Sequence, residues 1–236
     1  MPRSRSRSRC RAKLRCRCTP EIIAAAANRE VAGIAEQGLG RFIPFAFVHA
    51  ERDAGRIGEM VAEAVGLGFR GIKVHRKDAA ATREVCETAQ RFRLPVLYDV
   101  FAEMALLEML VPQYPEVTFI IPHLGSFADD WRAHRQLIDQ MARFPNLYAD
   151  TSAVKRFDYL VEAVKRVGPR RIIFGTDGPW THPGLELEKI RLLGLPAADE
   201  ALITGGNILR LIGPEPAGRR RKRGMEAHWR QRRIPR

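Results

Sequence analysis

Short apolar runs alternate with amphipathic stretches along most of the chain. The runs are RFIPFAFVH (41–49), GIKVH (71–75), PVLYDV (95–100), TFIIPHL (118–124), NLYADTS (146–152) and RIIFGTD (171–177). They recur roughly every 22 to 30 residues, about what a strand, a helix and two short loops occupy. Between them IGEMVAEAVGLG, ATREVCETAQRF, DWRAHRQLIDQMARF and FDYLVEAVKRVG place apolar residues at helical spacing. Ahead of the first run, Thr19-Pro20-Glu21 reads as an N-cap and first turn. That helix continues through IIAAAANREVAGIAEQ and stops at Gly38 and Gly40. Nearly all-apolar strands alternating with helices predict an α/β fold with a parallel sheet covered on both faces. A barrel and a doubly wound sheet both satisfy this pattern.

Chemistry at the strand ends separates the two. No GxGxxG or GxxxxGK[ST] follows any strand, so the usual phosphate-binding cues of dinucleotide and P-loop folds are missing. Instead His75, Asp99, His123, Asp150 and Asp177 stand at the ends of successive runs. A (β/α) barrel assembles its active site from its C-terminal strand ends, so this placement favours the barrel. One histidine after a strand is more often a loop or hydrogen-bonding residue than a ligand. Several on consecutive strands converge on one mouth whatever their separation in sequence. Imidazole and carboxylate suit zinc or a similar divalent ion, and a catalytic site takes about three of them plus a position open to water. The candidate ligands are Asp177, His123 and Asp99, with Asp177 and His123 also candidates for moving the proton. Candidate substrate contacts are His75, Arg76, Trp180 and His182. Arg76 suits a substrate carboxylate or a solvated surface, and Trp180 a pocket wall or packing beside Pro179. Lys73 also lies near a strand end and points away from Val74, but alternation alone does not say which of them faces the mouth.

Taken in order, GFRGIKVH, LPVLYDV, FIIPHLG, NLYADTS, IIFGTDGPW and GGNILRL resemble strands four to eight and the closing helix of the amidohydrolase-related family. The branch is that of aminocarboxymuconate-semialdehyde decarboxylase and other aromatic acid decarboxylases and hydrolases. The resemblance runs from about Thr19 to Ile212. It implies a TIM (β/α)8 barrel with one divalent metal, usually zinc, at its mouth, a small-molecule substrate and, as in many members, a homodimer. It also implies a ligand role for Asp177 in G-[ST]-D-x-P and a site role for His123 in H-L-G. Two features depart from the family: no His-x-His is present to supply two ligands from a first strand, and Asp99 stands where the family has histidine. Counted back from Asp177, the six runs are strands three to eight, so the first two strands are expected to be missing. Such a barrel exposes two edges, and the expectation is a truncated or misframed product. The implied activity is metal-dependent hydrolysis of a small organic acid, lactone or amide. Carboxyl loss on the same scaffold and a non-catalytic remnant are the alternatives.

The net charge of +13 first suggests a polyanionic partner. Its distribution changes that picture. Residues 1–20 carry seven Arg and one Lys with no acid, and residues 217–236 carry eight Arg and one Lys against Glu226. The remaining 23 bases and 26 acids give the body a net charge of −3. Residues 1–18 and 214–236 are therefore expected to be disordered basic tails flanking a barrel domain at 19–213. Arginine-rich arms bind phosphate backbones with little sequence preference, and the acidic body makes no specific nucleic-acid reader. Cys10, Cys16 and Cys18 lack zinc-ribbon spacing, and Cys86 falls in a predicted helix. No disulfide framework is expected, which fits a reducing cytoplasm. With neither a secretory signal nor about 18 consecutive apolar residues, no membrane association is expected.

Overall fold

A computed structural model describes residues 20–38 and 40–213. The two basic tails, Thr19, Cys10, Cys16 and Cys18 lie outside the described residues, as do the expectations attached to them. The strands are β1 (Ala46–Phe47), β2 (Ile72–His75), β3 (Val96–Asp99), β4 (Phe119–Ile121), β5 (Leu147–Asp150) and β6 (Ile172–Ile173). They form one parallel sheet in chain order from β1 to β6. A doubly wound sheet would reverse its order at a switch point, whereas a barrel does not. The fold is thus a TIM-type barrel represented by six strands, as the polar strand ends and the family resemblance implied. The helices between strands are α1 (Pro20–Gln37), α2 (Ile57–Gly66), α3 (Arg83–Phe92), α4 (Ala105–Leu110), α5 (Trp131–Arg143) and α6 (Phe157–Val167). After β6 come α7 (Pro183–Leu192), α8 (Ala197–Ala201), a π-turn and α9 (Asn207–Ile212).

The outer runs predict longer strands than form. Residues 41–45 and 174–177 lie outside β1 and β6, because among the described residues each edge strand has one strand neighbour. Alternation assigns the two faces. Ile72, Val74, Val96, Tyr98, Phe119, Ile121, Leu147, Ala149 and Ile172 pack outward into the main core beneath the helices. Ile120, Tyr148 and Ile173 form a separate cluster with Leu97, Ile208 and Leu211. That second cluster lines the concave face. Lys73 pairs in register with Leu97, and His75 with Asp99, so both polar residues of β2 also face inward. The concave side is therefore apolar below and charged towards the C-terminal strand ends. Cys86 is buried in α3, and burial pushes its thiol up to about 12, so it packs and does not react.

Two contacts close the open parts of this sheet. Ala46 and Val48 donate their N–H groups to Gly71 and Lys73 of the β2 segment, leaving Phe47 directed at the free edge. There the Asn28 side chain accepts the Phe47 N–H at 2.9 Å and donates to the Phe47 carbonyl at 2.9 Å. A primary amide thus stands in for one residue of a neighbouring strand and satisfies both backbone groups. At the other end of the chain, Asn207 donates to the Ile172 and Pro169 carbonyls, each at 2.8 Å. Arg70, just before β2, donates to the carbonyls of Ile212 and Gly213. Helix α9 therefore lies across the foot of the concave face, with Ile208 and Leu211 turned into it.

Because Asn28 is nearly buried at 7% exposure, Asn28→Leu leaves two edge groups without partners. We expect a loss of about 1–3 kcal/mol in chemical denaturation, with Asn28→Asp retaining only the bond from the Phe47 N–H.

Candidate active site

β2 and β3 run side by side to the same level, which sets His75 next to Asp99. His75 Nε2 lies 3.4 Å from Asp99 Oδ2, and His123 Nε2 lies 4.0 Å from the same oxygen. Asp99 is 9% exposed and His123 7%. The other Asp99 oxygen accepts the Phe101 N–H at 3.0 Å, which fixes the carboxylate plane.

The two imidazoles sit in opposite proton states. His75 Nδ1 accepts the Lys77 N–H at 3.2 Å, so its ring proton resides on Nε2 and points at Asp99. His123 Nδ1 lies 3.0 Å from the Ser152 carbonyl, an acceptor only. It must therefore carry the proton itself, leaving the Nε2 lone pair towards Asp99. Ser152 Oγ, 2.9 Å from the same Nδ1, donates onward to Asp150 Oδ1 at 2.6 Å. This chain of donors sets the tautomer of His123 and supports a positive charge when the ring gains a second proton.

The backbone at His123 is unusual. β4 ends at Ile121, Pro122 opens the turn, and His123 (φ 58°) and Leu124 (φ 46°) both adopt left-handed conformations before Gly125 (φ 96°). Such conformations cost on the order of 1–2 kcal/mol for each non-glycine residue. The turn is held by the His123 N–H, which donates to Asp150 Oδ1 at 2.9 Å, where the Ser152 N–H also arrives at 2.9 Å. Space for this corner comes from Gly175, where a Cβ would sit 2.9 Å from Asp150 Cγ and from Ser152 Cβ. The next loop is braced from α7: Glu186, 2% exposed, accepts the Ala153 N–H and pairs with Lys189 at 2.7 Å.

Lys73 faces the concave side below this group. Burial lowers its pKa from the ordinary lysine value, and Asp99, Asp150 and Asp177 oppose that shift. Asp177 (φ 49°) is half-buried beyond β6 and acts on the lumen through that field. Of the remaining candidates, Arg76 pairs with Glu103 at 3.0 Å. Trp180 is 80% exposed, and His182 caps α7 by accepting the Gly184 N–H at 3.1 Å. The structure thus gathers His75, Asp99 and His123 and gives Arg76 and His182 other partners. Three participants carried no assignment from sequence. Lys73 was ambiguous by parity, Asp150 counted only as a strand end, and Ser152 acts through a carbonyl and hydroxyl that no motif announces. Phe127, edge-on to His123 at 5.2 Å between ring centroids, also flanks the group.

Among the described residues, no three of His, Cys, Asp and Glu stand together as a set able to hold a metal ion. What the mouth does offer is a carboxylate oxygen and a neutral imidazole nitrogen on one side, with Asp177 beyond β6. Those donors are not gathered into one set, so an ion held there would have to complete its shell with water and substrate oxygens.

A family model described as Amidohydrolase matches residues 21–213. No curated protein sequence matches the chain. Among solved structures, 2,6-dihydroxybenzoate decarboxylase from Rhizobium is similar at a TM-score of 0.66 and 19% identity, covering 81% of this chain and 77% of that one. Dihydroxybenzoic acid decarboxylase from Polaromonas, solved with manganese and the inhibitor 2-nitroresorcinol, gives 0.66 at 21% identity over 81% and 75%. An amidohydrolase from Burkholderia multivorans with bound zinc gives 0.63 at 17% over 78% of each. At these identities the likeness establishes the barrel fold. No helix of the described residues is long and apolar enough to cross a membrane.

The buried ammonium yields a signed expectation. A lysine whose folded pKa lies below its unfolded value weakens the fold while protonated, and that penalty disappears as pH rises through the unfolded value of 10.5. Lys73→Met should therefore raise the melting temperature at pH 7, and the gain over the parent should shrink between neutral pH and pH 11. A lower melting temperature at pH 7 would contradict it.

Proposed function

Because this chain belongs to the amidohydrolase family, we propose that it hydrolyses an ester or amide bond of a small organic acid at the mouth formed by His75, Asp99 and His123. The observation that carries the reading is the proton state of His123. Its Nδ1–H is committed to Ser152, so Nε2 presents a lone pair beside a carboxylate at a C-terminal strand end.

In this reading His123 Nε2 accepts a proton from water as the water oxygen bonds to the substrate carbonyl carbon. The imidazolium so formed is supported by Ser152 and Asp150, and by Asp99 at 4.0 Å. It then returns the proton to the departing oxygen or nitrogen as that bond breaks. His75 keeps its Nε2 proton and orients Asp99. Lys73 offers a desolvated ammonium for the substrate's carboxylate, where low dielectric strengthens the pairing. Asp99 and Asp177 are the residues that would hold a divalent ion, manganese or zinc, which supplies polarisation of a substrate oxygen and a more acidic water. His123 is then free for the proton, whereas the sequence reading gave it ligand duty as well.

Carboxyl loss is the second reading, favoured by the two similar solved structures that are decarboxylases. It would use the same ammonium to hold the acid and a protonated His123 to deliver a proton to carbon. The purified chain, supplied with manganese or zinc, should be assayed against small carboxylic acids and their esters, lactones and amides. Proton release and carbon dioxide release would be followed in parallel. Hydrolysis should appear without carbon dioxide and fall about 10²- to 10⁴-fold in His123→Gln. Carbon dioxide as the product selects the second reading, and turnover unchanged in His123→Gln overturns both.

A further inference from the structure

We infer that His134, in α5 and away from the mouth, is a positioning residue that holds the loop bearing His123 through contacts at both ring nitrogens. The inference rests on His123 being the proton-transfer group. His134 is fully buried at 0% exposure. Its Nδ1 lies 2.9 Å from the Leu124 carbonyl, and its Nε2 lies 3.1 Å from Asp129 Oδ1. A carbonyl only accepts, and so does an ionised carboxylate. The Leu124 carbonyl therefore fixes a proton on Nδ1, and Nε2 keeps the contact with Asp129.

The two acceptors mark the two ends of one loop. Leu124 follows His123 directly, and both are left-handed, as is Asp129 (φ 59°). Asp129 donates its own N–H to the Ser126 carbonyl and accepts the Arg156 N–H at 3.2 Å on the carboxylate oxygen that faces His134. Through Arg156 the clamp reaches the segment after β5, a few residues beyond Ser152, the group that sets the His123 tautomer. One ring thus spans loop residues 124 to 129 from behind. The Tyr159 ring lies against it, at 5.6 Å between centroids.

Nitrogen-detected NMR of the imidazoles in the full chain tests this without a substrate. His123 should show a single tautomer with its proton on Nδ1, and His134 a proton on the Nδ1 that faces the Leu124 carbonyl. Two substitutions separate the ends of the clamp. In His134→Asn the shorter amide can reach the Leu124 carbonyl in place of Nδ1, and in His134→Gln the longer amide can reach only Asp129 in place of Nε2. We expect His134→Gln to turn the His123 signal into a mixture of tautomers and His134→Asn to preserve it. With a substrate in hand, His134→Gln should lower kcat at least tenfold with KM little changed. An unaltered His123 signal in His134→Gln, or equal disturbance in both variants, overturns the inference. If neither variant folds, Asp129→Ala releases the clamp from its partly exposed end. Amides 125 to 129 should then exchange faster, and unchanged exchange overturns it. Absence of any turnover would count against the proposed function alone, since the NMR result does not depend on catalysis.

Discussion

One carboxylate oxygen ties the site together. Asp150 Oδ1 receives the His123 N–H, the Ser152 N–H and the Ser152 hydroxyl, all at 2.6–2.9 Å. A charged acceptor with three donors on one oxygen is worth more than neutral bonds of the same number, about 1.5–3 kcal/mol for each. That gain is of the size needed to hold two consecutive left-handed residues at the end of β4. The same oxygen then decides chemistry, because Ser152, once committed as donor to Asp150, can only accept from His123 Nδ1. Backbone strain and the His123 tautomer are thus set by one interaction between adjacent strands. Gly175 is the condition for it, since any larger residue at the start of the next loop would displace the corner.

The lumen shows a matching economy of charge. Lys73 is half enclosed by an apolar floor and faced by Asp99, Asp150 and Asp177, and desolvation outweighs their attraction. Leu97, Ile120, Tyr148 and Ile173 form the apolar layer of the same concave face. If Lys73 holds the substrate's carboxylate as proposed, function and stability pull in opposite directions at this residue.

Much of this was legible in the sequence, for identifiable reasons. Six strands, their parallel order and the helices between them follow from run length and periodicity, which are local properties. The convergence of His75, Asp99 and His123 follows from barrel geometry, which brings consecutive strand ends together without regard to spacing. Lys73 was out of reach because strand parity needs one known inward residue, and its own run offered polar groups only at 73 and 75. Asn28 looked like one more helix position, since its function depends on an edge lying across from it. His182 sits before Pro183 and Gly184, a capping context, yet its nearness to Asp177 in sequence drew it to the site. Asp150, Ser152 and His134 act through backbone atoms of other segments, and such bonds leave no trace in residue type.

Helix α9 has a consequence for the order in which the chain is made. Arg70 reaches the carbonyl of Ile212, 142 positions later, and the foot of the concave face is covered by Ile208 and Leu211. During synthesis, the inward surfaces of β3, β4 and β5 must wait, uncovered, until almost the whole barrel has left the ribosome. Such late closure favours slow folding and prolonged exposure of apolar surface. A chaperone that shields concave apolar surface would find its longest window here, just before the last helix arrives.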